Sequence, residues 1–468
     1  MAEYEYDLVV IGSGPAGHHA AIQAAKLRKR VMIVERKTIL GGICINIGTI
    51  PSKTMREAVI YLSGYREHGV YGESYKVKEK ITLQDLLFRV DPVVRHEIDV
   101  IRHQLQRNGV EVVVAEASFV DPHNIKLTMP GGRAERVVST DKVVIAVGTE
   151  VVHDPNMTLD GSCIFSSDDI LTLDELPQTL TVIGAGVIGC EYASMFAALG
   201  VRVTLIDMRP RLLPFVDAEI IEALTYQLRE RRMTLRLGEK VDKVEMIEDA
   251  GGRKVRTTLQ SGKQVVTDKA LCSTGRNGAT ESLNLPGAGL TADNRGRLTV
   301  NEVYRTTVDN IYASGDVIGF PSLAATSMEQ GRLAVCHAFG VSAKYAPELF
   351  PYGIYTIPEI SFVGRTEEEL TEKGVPYEIG KAQYREIARG QIAGDTIGRL
   401  KLIFHRDTRE LLGVHIIGEG AVELVHIGQA VLGMKGKIDY FVDTVFNYPT
   451  LAECYKTAAF DGINRLQS

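Results

Sequence analysis

A chain of 468 residues is too long for one ordinary domain and fits about three. With 45% hydrophobic and 24% charged residues it can fill several cores, which excludes a disordered polymer, and a formal net charge of −6 argues against nucleic acid or an anionic membrane as partner. The opening MAEYEYDLVV carries no basic segment followed by an apolar one, and no window is long and apolar enough to span a bilayer, so a cytoplasmic location is expected. The six cysteines, Cys44, Cys163, Cys190, Cys272, Cys336 and Cys454, show no paired spacing, unlike a secreted disulfide framework.

In chain order the first legible unit is YDLVVIGSGPAGHHAAIQAAKLRKRVMIVER, Tyr6 to Arg36, which reads as strand, glycine-rich turn, alanine-rich helix and second strand. The same pattern returns as TLTVIGAGVIGCEYASMFAALGVRVTLIDMR, Thr179 to Arg209. Gly12, Gly14 and Gly17 reappear as Gly184, Gly186 and Gly189 at a constant offset of 172, and the same offset carries Glu35 to Asp207. The physical demand is specific. The first glycine permits a tight turn, the second lets a pyrophosphate approach the backbone, and the third allows helix and strand to pack closely. The helix N-terminus supplies N–H donors, and the later acid accepts hydrogen bonds from ribose hydroxyls. A lone glycine pattern is weak evidence, one such unit with strand, helix and acid in register is good evidence, and two in identical register predict two bound dinucleotides.

Further motifs tie these units to a family. GGICINIGTIPSKTMREAV, Gly41 to Val59, resembles the active-site segment of lipoamide dehydrogenase and glutathione reductase. TTVDNIYASGDVIG, Thr306 to Gly319, is similar to the second FAD motif of that family, whose aspartate, here Asp316, binds the ribityl chain. STGRNG, Ser273 to Gly278, resembles the segment closing the nicotinamide domain, with Asn277 displaced from the usual order. The resemblance runs from residue 6 to the C-terminus and implies an α/β fold: two Rossmann-like dinucleotide-binding domains and a C-terminal α+β dimerisation domain. The implied division is 1–150 for FAD, 151–276 for NAD(P), 277–347 completing the FAD domain and 348–468 at the interface of a homodimer or higher homo-oligomer. FAD then falls to Gly12, Gly14, Gly17, Glu35, Gly42, Cys44, Thr49, Lys53, Gly148 and Asp316. NAD(H) or NADP(H) falls to Gly184, Gly186, Gly189, Asp207, Arg209, Gly275 and Arg276.

Two departures from that family decide the expected chemistry. Its disulfide reductases carry two cysteines five residues apart before IPSK, and here the second position holds Thr49, while Cys44 keeps the first. A threonine hydroxyl can neither form a disulfide nor act as the thiolate that exchanges electrons with flavin. Near the C-terminus the reductases' HPTxxE reads YPTLAE, so Tyr448 replaces the acid–base histidine while Glu453 remains. With a pKa near 10, tyrosine is a poor proton shuttle at neutral pH. The nicotinamide half is intact: Lys53, after Ser52, and Glu191, after Cys190, match residues that pair beside the flavin in the family, the lysine's charge favouring flavin reduction. Solvent-facing helix charges are the plain alternative.

GTIPSK, FNYPT and LVHIGQA resemble the soluble pyridine nucleotide transhydrogenases. That resemblance implies ping-pong hydride transfer between NADPH and NAD⁺, balancing the two pools through one nicotinamide site. Asp207 suits a 2′-hydroxyl, whereas Arg209 and Arg211 could pair with a 2′-phosphate. Two alternatives stay open: a single-thiol peroxidase or disulfide reductase using Cys44, and a dinucleotide-binding regulator without turnover.

The remaining features carry less. His18 and His19 could touch FAD phosphates or face solvent. His426 is expected to pack at an interface, and Arg229, Arg231, Arg232 and Arg236 to form a solvated face. Asn156-Met157-Thr158 is a chance glycosylation match, and no histidine–carboxylate spacing suggests metal.

Overall fold

A computed structural model describes residues 4–72, 74–132, 134–249, 252–343 and 349–466. The chain divides into two compact units, the first gathering 1–55, 87–152 and 275–345, the second 56–86, 153–274 and 346–468. The expected boundary between 347 and 348 lies outside the described residues.

The core of the first unit is a parallel sheet in the order 111–114, 31–35, 6–11, 135–145, 311–313. Strands YDLVVI and VMIVE are near-continuous apolar runs because a parallel sheet is covered on both faces. Between 111–114 and the later half of 135–145 the chain makes an antiparallel meander of 116–121, 124–128 and the first half of 135–145. Helix Pro15–Lys26 packs on helix Ala324–Ala338, where a Cβ at Gly331 would lie 2.1 Å from the Ala16 carbonyl oxygen.

The second unit repeats the plan. Strands 234–237, 202–207, 179–183, 269–272 and 164–166 are parallel in that order, with a meander of 241–249, 252–259 and 264–267 at the same point of the chain path. The internal repeat therefore extends beyond its βαβ core to a whole layered α/β arrangement. Helix Val187–Ala198 is buried from Gly189 to Ala197, which explains a helix that is apolar but for Glu191 and Ser194 in its buried stretch.

The same unit holds a five-stranded antiparallel sheet in the order 352–354, 360–364, 411–417, 399–405, 377–383, covered by helices Ala421–Gly433 and Glu453–Leu466. Its core includes Leu402, Phe404, Val414, Phe441 and Tyr455. Cutting Phe404 to alanine would cost about 3–5 kcal/mol. Lys401, 2% exposed at its side chain, joins this sheet to Asp217 at 2.9 Å, and also pairs with Glu219 and Glu367.

The arginine cluster is corrected by the structure. Arg229 and Arg232 are exposed, but Arg231 lies with its guanidinium carbon 4.1 Å from the Tyr65 ring centroid, and Arg236 is partly buried. The segment 56–86, packed in this unit, supplies an aromatic face that sequence distance hides. No helix among the described residues is long and apolar enough to cross a membrane.

Candidate functional site

The first glycine turn has the three roles its motif demands. Gly12 has φ +104°, and a Cβ there would meet the Ala146 oxygen at 2.3 Å; one at Gly17 would meet the Gly12 oxygen at 1.9 Å. A Cβ at Gly14, by contrast, meets only ordinary contact with Gly42 at 4.0 Å, and Gly14 caps helix Pro15–Lys26 without a side-chain bond to its first N–H groups. The cradle therefore fits a pyrophosphate. Glu35, buried at the end of the second strand, accepts from Ser13 N at 3.0 Å, Ser13 Oγ at 2.6 Å and Lys37 N at 3.0 Å. Ser13 Oγ accepts in turn from Gly41 N at 3.0 Å, tying the turn to the Gly41–Gly42 corner.

Beyond that corner Cys44 lies on the short helix Gly42–Asn46, while Thr49 opens helix Thr49–Ser63 with half-buried Lys53 one turn on. Burial pushes the Cys44 thiol above its ordinary value; a hydrogen bond with Thr49 lowers it, the Asp316 charge raises it and the Lys53 charge lowers it, for a net rise. At neutral pH Cys44 is thus a protonated thiol and a weak nucleophile. Asp316 is raised by burial, against the opposing pull of Arg276 and a hydrogen bond with Ser327. Arg276 is anchored on Thr149, donating to its Oγ1 at 3.0 Å and its carbonyl at 3.1 Å, beside Gly148 and Gly275.

The second cradle copies the first. Gly184 has φ +100°, with a Cβ position 2.5 Å from the Ser273 oxygen; that of Gly189 lies 1.9 Å from the Gly184 oxygen, and that of Gly186 faces open space. A dinucleotide phosphate again has room only at the middle glycine. Asp207 accepts from Ala185 N at 2.6 Å and Arg209 N at 2.7 Å. Its carboxylate also accepts from Arg209 Nε at 2.9 Å and Nη2 at 2.7 Å. Glu191 is 3% exposed and accepts from Tyr355 N at 2.8 Å, so it is not a solvent-facing charge. Burial drives the neighbouring Cys190 thiol up to about 12.

The other sequence candidates take varied positions. Arg211 donates to the Pro214 and Val216 carbonyls at 3.0 and 3.1 Å and lies 3.6 Å from Glu368. His18 is buried, not solvent-facing, and burial lowers it to about 4; His19 is half-buried. His426 is exposed and bonds Gln429 at 2.8 Å. Tyr448 is 75% exposed, while Glu453 accepts from Thr450 N at 3.0 Å at the start of its own helix. The Asp217, Glu219 and Glu367 oxygens lie within 4.8 Å of one another, a spacing suited to a metal, yet the Lys401 ammonium already supplies their positive charge. Ser13, Thr149, Ser194, Tyr355 and Glu359 were not singled out from sequence. Of these only Ser13 had a signal, its place between the motif glycines.

Comparison with known proteins agrees with these geometries. Residues 6–331 match the family described as pyridine nucleotide-disulphide oxidoreductase, and residues 350–459 match its dimerisation domain. A soluble pyridine nucleotide transhydrogenase of Mycobacterium bovis (strain BCG / Pasteur 1173P2) is 52% identical over 464 residues, 99% of this chain and 98% of that protein. One from Colwellia psychrerythraea is 44% identical over 467 residues, 99% of each chain. Among solved structures, LpdA of Mycobacterium tuberculosis matches with a TM-score of 0.89 at 27% identity, over 98% of this chain and 100% of that one. The HOCl-induced flavoprotein disulfide reductase RclA of Escherichia coli matches with a TM-score of 0.85 at 27% identity, over 97% and 99%. The chain belongs to the FAD-dependent pyridine nucleotide-disulphide oxidoreductases and, among them, to the group of the soluble pyridine nucleotide transhydrogenases.

Proposed function

We propose that this enzyme catalyses NADPH + NAD⁺ ⇌ NADP⁺ + NADH, with the two nicotinamide nucleotides using one site in turn. The observation that carries this reading is an interrupted thiol outlet in a chain that also holds two complete dinucleotide cradles: Thr49 stands at the inner position, and Cys44 is a partly buried, protonated thiol. Bound FAD supplies a two-electron carrier that can take hydride from one nicotinamide and return it to another. The same state of Cys44 speaks against the single-thiol peroxidase.

The chain's residues supply binding and electrostatics. Gly12, Gly14, Gly17 and Gly42 make room for the flavin nucleotide's pyrophosphate, Glu35 orders that turn and its ribose, and Asp316 holds the ribityl chain. Gly148 borders the flavin, while Gly275 and Arg276 close the nicotinamide-binding segment. Gly184, Gly186 and Gly189 receive the nicotinamide nucleotide, whose ribose is read by Asp207 and Arg209. Lys53 contributes positive charge where negative charge develops, and Glu191 orients it, the roles that the resemblance assigns them. On this reading the functional domains are 1–150, 151–276, 277–347 and 348–468. The last forms a homodimer, and the enzyme works in the cytoplasm on the NADPH and NADH pools.

An anaerobic experiment tests the reaction. The FAD-loaded enzyme is reduced with NADPH, NAD⁺ is added, and the flavin absorbance is followed. Recovery of the oxidised spectrum with stoichiometric NADH is expected. A spectrum that stays reduced in excess NAD⁺ refutes the proposal.

A further inference from the structure

Glu191 is held by a segment 164 residues further along the chain. The Tyr355 main-chain N–H donates to its Oε1 at 2.8 Å. One turn on, Ser194 Oγ accepts from Ile357 N–H at 3.1 Å and donates to the Glu191 carbonyl at 2.8 Å. The intervening residue is pinned from another side. Arg56 Nε donates to the Thr356 carbonyl at 3.1 Å, and its Nη2 pairs with Glu359 Oε2 at 3.1 Å, both side chains being nearly fully buried. Glu359 is itself fixed, its carbonyl accepting from Gly418 N at 2.9 Å and its Oε1 from Val422 N at 3.4 Å. Arg56 stands three residues after Lys53 on helix Thr49–Ser63.

Stability alone is a poor explanation for these groups. A buried ion pair gains little over well-packed apolar residues of similar volume, because both charges leave water. The polar groups here converge on one extended stretch, Tyr355–Glu359, and that stretch presents its first N–H to the Glu191 carboxylate. A carboxylate that must hold one orientation benefits from a donor fixed by its own surroundings, because reorientation during reaction then costs less.

We infer that Tyr355–Glu359 is a positioning strap for Glu191, with Ser194, Arg56 and Glu359 as positioning residues. This deepens the reading of Glu191 as part of the hydride-transfer site and rests on it. The strap acts only through Glu191: it sets how fast a bound nicotinamide passes hydride on, and leaves nucleotide affinity unchanged.

The test is stopped-flow reduction of the FAD-loaded enzyme by NADPH, comparing Ser194→Ala, Glu359→Gln and Glu191→Gln. Ser194→Ala is expected to lower the limiting reduction rate by about tenfold, the scale of one lost hydrogen bond at a reacting site, with the NADPH Kd unchanged. Combined with Glu191→Gln it should slow the reaction little beyond Glu191→Gln alone, since groups acting through one residue are non-additive. Ser194→Ala removes one hydroxyl and keeps the question answerable where Glu359→Gln fails to fold. If Glu191→Gln is slow while Ser194→Ala reduces at the wild-type rate, the strap is structural only. Fully additive losses overturn it equally. A Glu191→Gln enzyme that reduces at the wild-type rate removes Glu191 from the site, and the strap's role with it.

Discussion

Arg209 closes on Asp207 at two points, Nε to Oδ1 at 2.9 Å and Nη2 to Oδ2 at 2.7 Å. The first repeat has no counterpart. Glu35 receives the main-chain N–H groups of Ser13 and Lys37 as Asp207 receives those of Ala185 and Arg209, each pair separated by the same offset. Only the second cradle adds a guanidinium. Burial pushes the Asp207 carboxyl up, but hydrogen bonds from the Arg209 side chain and main chain and from Ala185 outweigh it and hold the group below its ordinary value. The pair is close to neutral as a unit, so an incoming 2′-phosphate does not meet a bare carboxylate.

Coenzyme choice should therefore divide between these two residues in opposite senses. Asp207→Ala frees the guanidinium and should lower the KM for NADPH relative to that for NADH. Arg209→Leu exposes the carboxylate and should raise the NADPH KM about tenfold or more, with NADH much less affected, since a charge-assisted phosphate contact is lost. Steady-state KM values for both coenzymes check this. A ratio unmoved by either change would take the pair out of coenzyme discrimination.

Lys401 offers a test of a different kind. Its ammonium is buried among Asp217, Glu219 and Glu367, with Asp217 1% exposed at its side chain. Lys401→Met leaves a buried carboxylate without its cation and should destabilise this unit by about 3–5 kcal/mol. The three acids would then keep only the Lys381 and Arg399 charges, both on Glu219, so millimolar calcium should raise the variant's melting temperature and leave that of the wild type alone. Calorimetry of both proteins with and without calcium decides it, and equal shifts would mean that the ammonium does not neutralise the cluster.

How much of this was legible depended on reach along the chain. The glycine turns, Glu35 and Asp207 lie within one βαβ unit, where spacing alone fixes who meets whom, and their doubling made the fold readable. Thr49 and Tyr448 were legible as departures from a family pattern. The strap was not: Tyr355 and Glu191 are 164 residues apart, and the bond uses a main-chain N–H that any residue could supply. Arg231 misled for a related reason. A basic run ending a helix reads as a solvated face until Tyr65, from a remote segment, is found beneath it. His18 likewise sits in a motif that reads as a phosphate cradle, but the fold buries it, which local sequence does not reveal.

That burial has a pH consequence. In the folded chain His18 is lowered to about 4 from an ordinary 6.5, by burial first and the His19 charge second, with a hydrogen bond to Gln104 opposing. Between those values the unfolded chain binds more protons at this residue than the folded one. The stability it contributes is therefore present above pH 6.5 and lost as the pH falls toward 4. His18→Leu should flatten the acid limb of a melting-temperature profile over that window, removing up to about one proton from the uptake on unfolding. Superimposable profiles would show that His18 does not titrate differently in the two states.

The last prediction concerns Thr49 and Cys44 directly. If transhydrogenation needs no thiol, Cys44→Ser should keep nearly all NADPH-to-NAD⁺ activity, and its loss would restore the single-thiol reading. The converse variant, Thr49→Cys, puts a second sulfur where a side chain already hydrogen-bonds with Cys44, close enough for a disulfide on oxidation. Reduction by NADPH under anaerobic conditions should then expose about two additional thiols per chain, counted with a chromogenic disulfide, since one S–S bond takes two electrons. Turnover on small external disulfides should nonetheless stay slow. Tyr448 is a poor acid–base partner for a departing thiolate, and only the pairing of Thr49→Cys with Tyr448→His restores both changed positions. Were Thr49→Cys alone to turn over disulfides quickly, the tyrosine substitution would carry no weight in selecting the reaction, and the change at residue 49 would stand by itself as the element that separates this enzyme from its disulfide-reducing relatives.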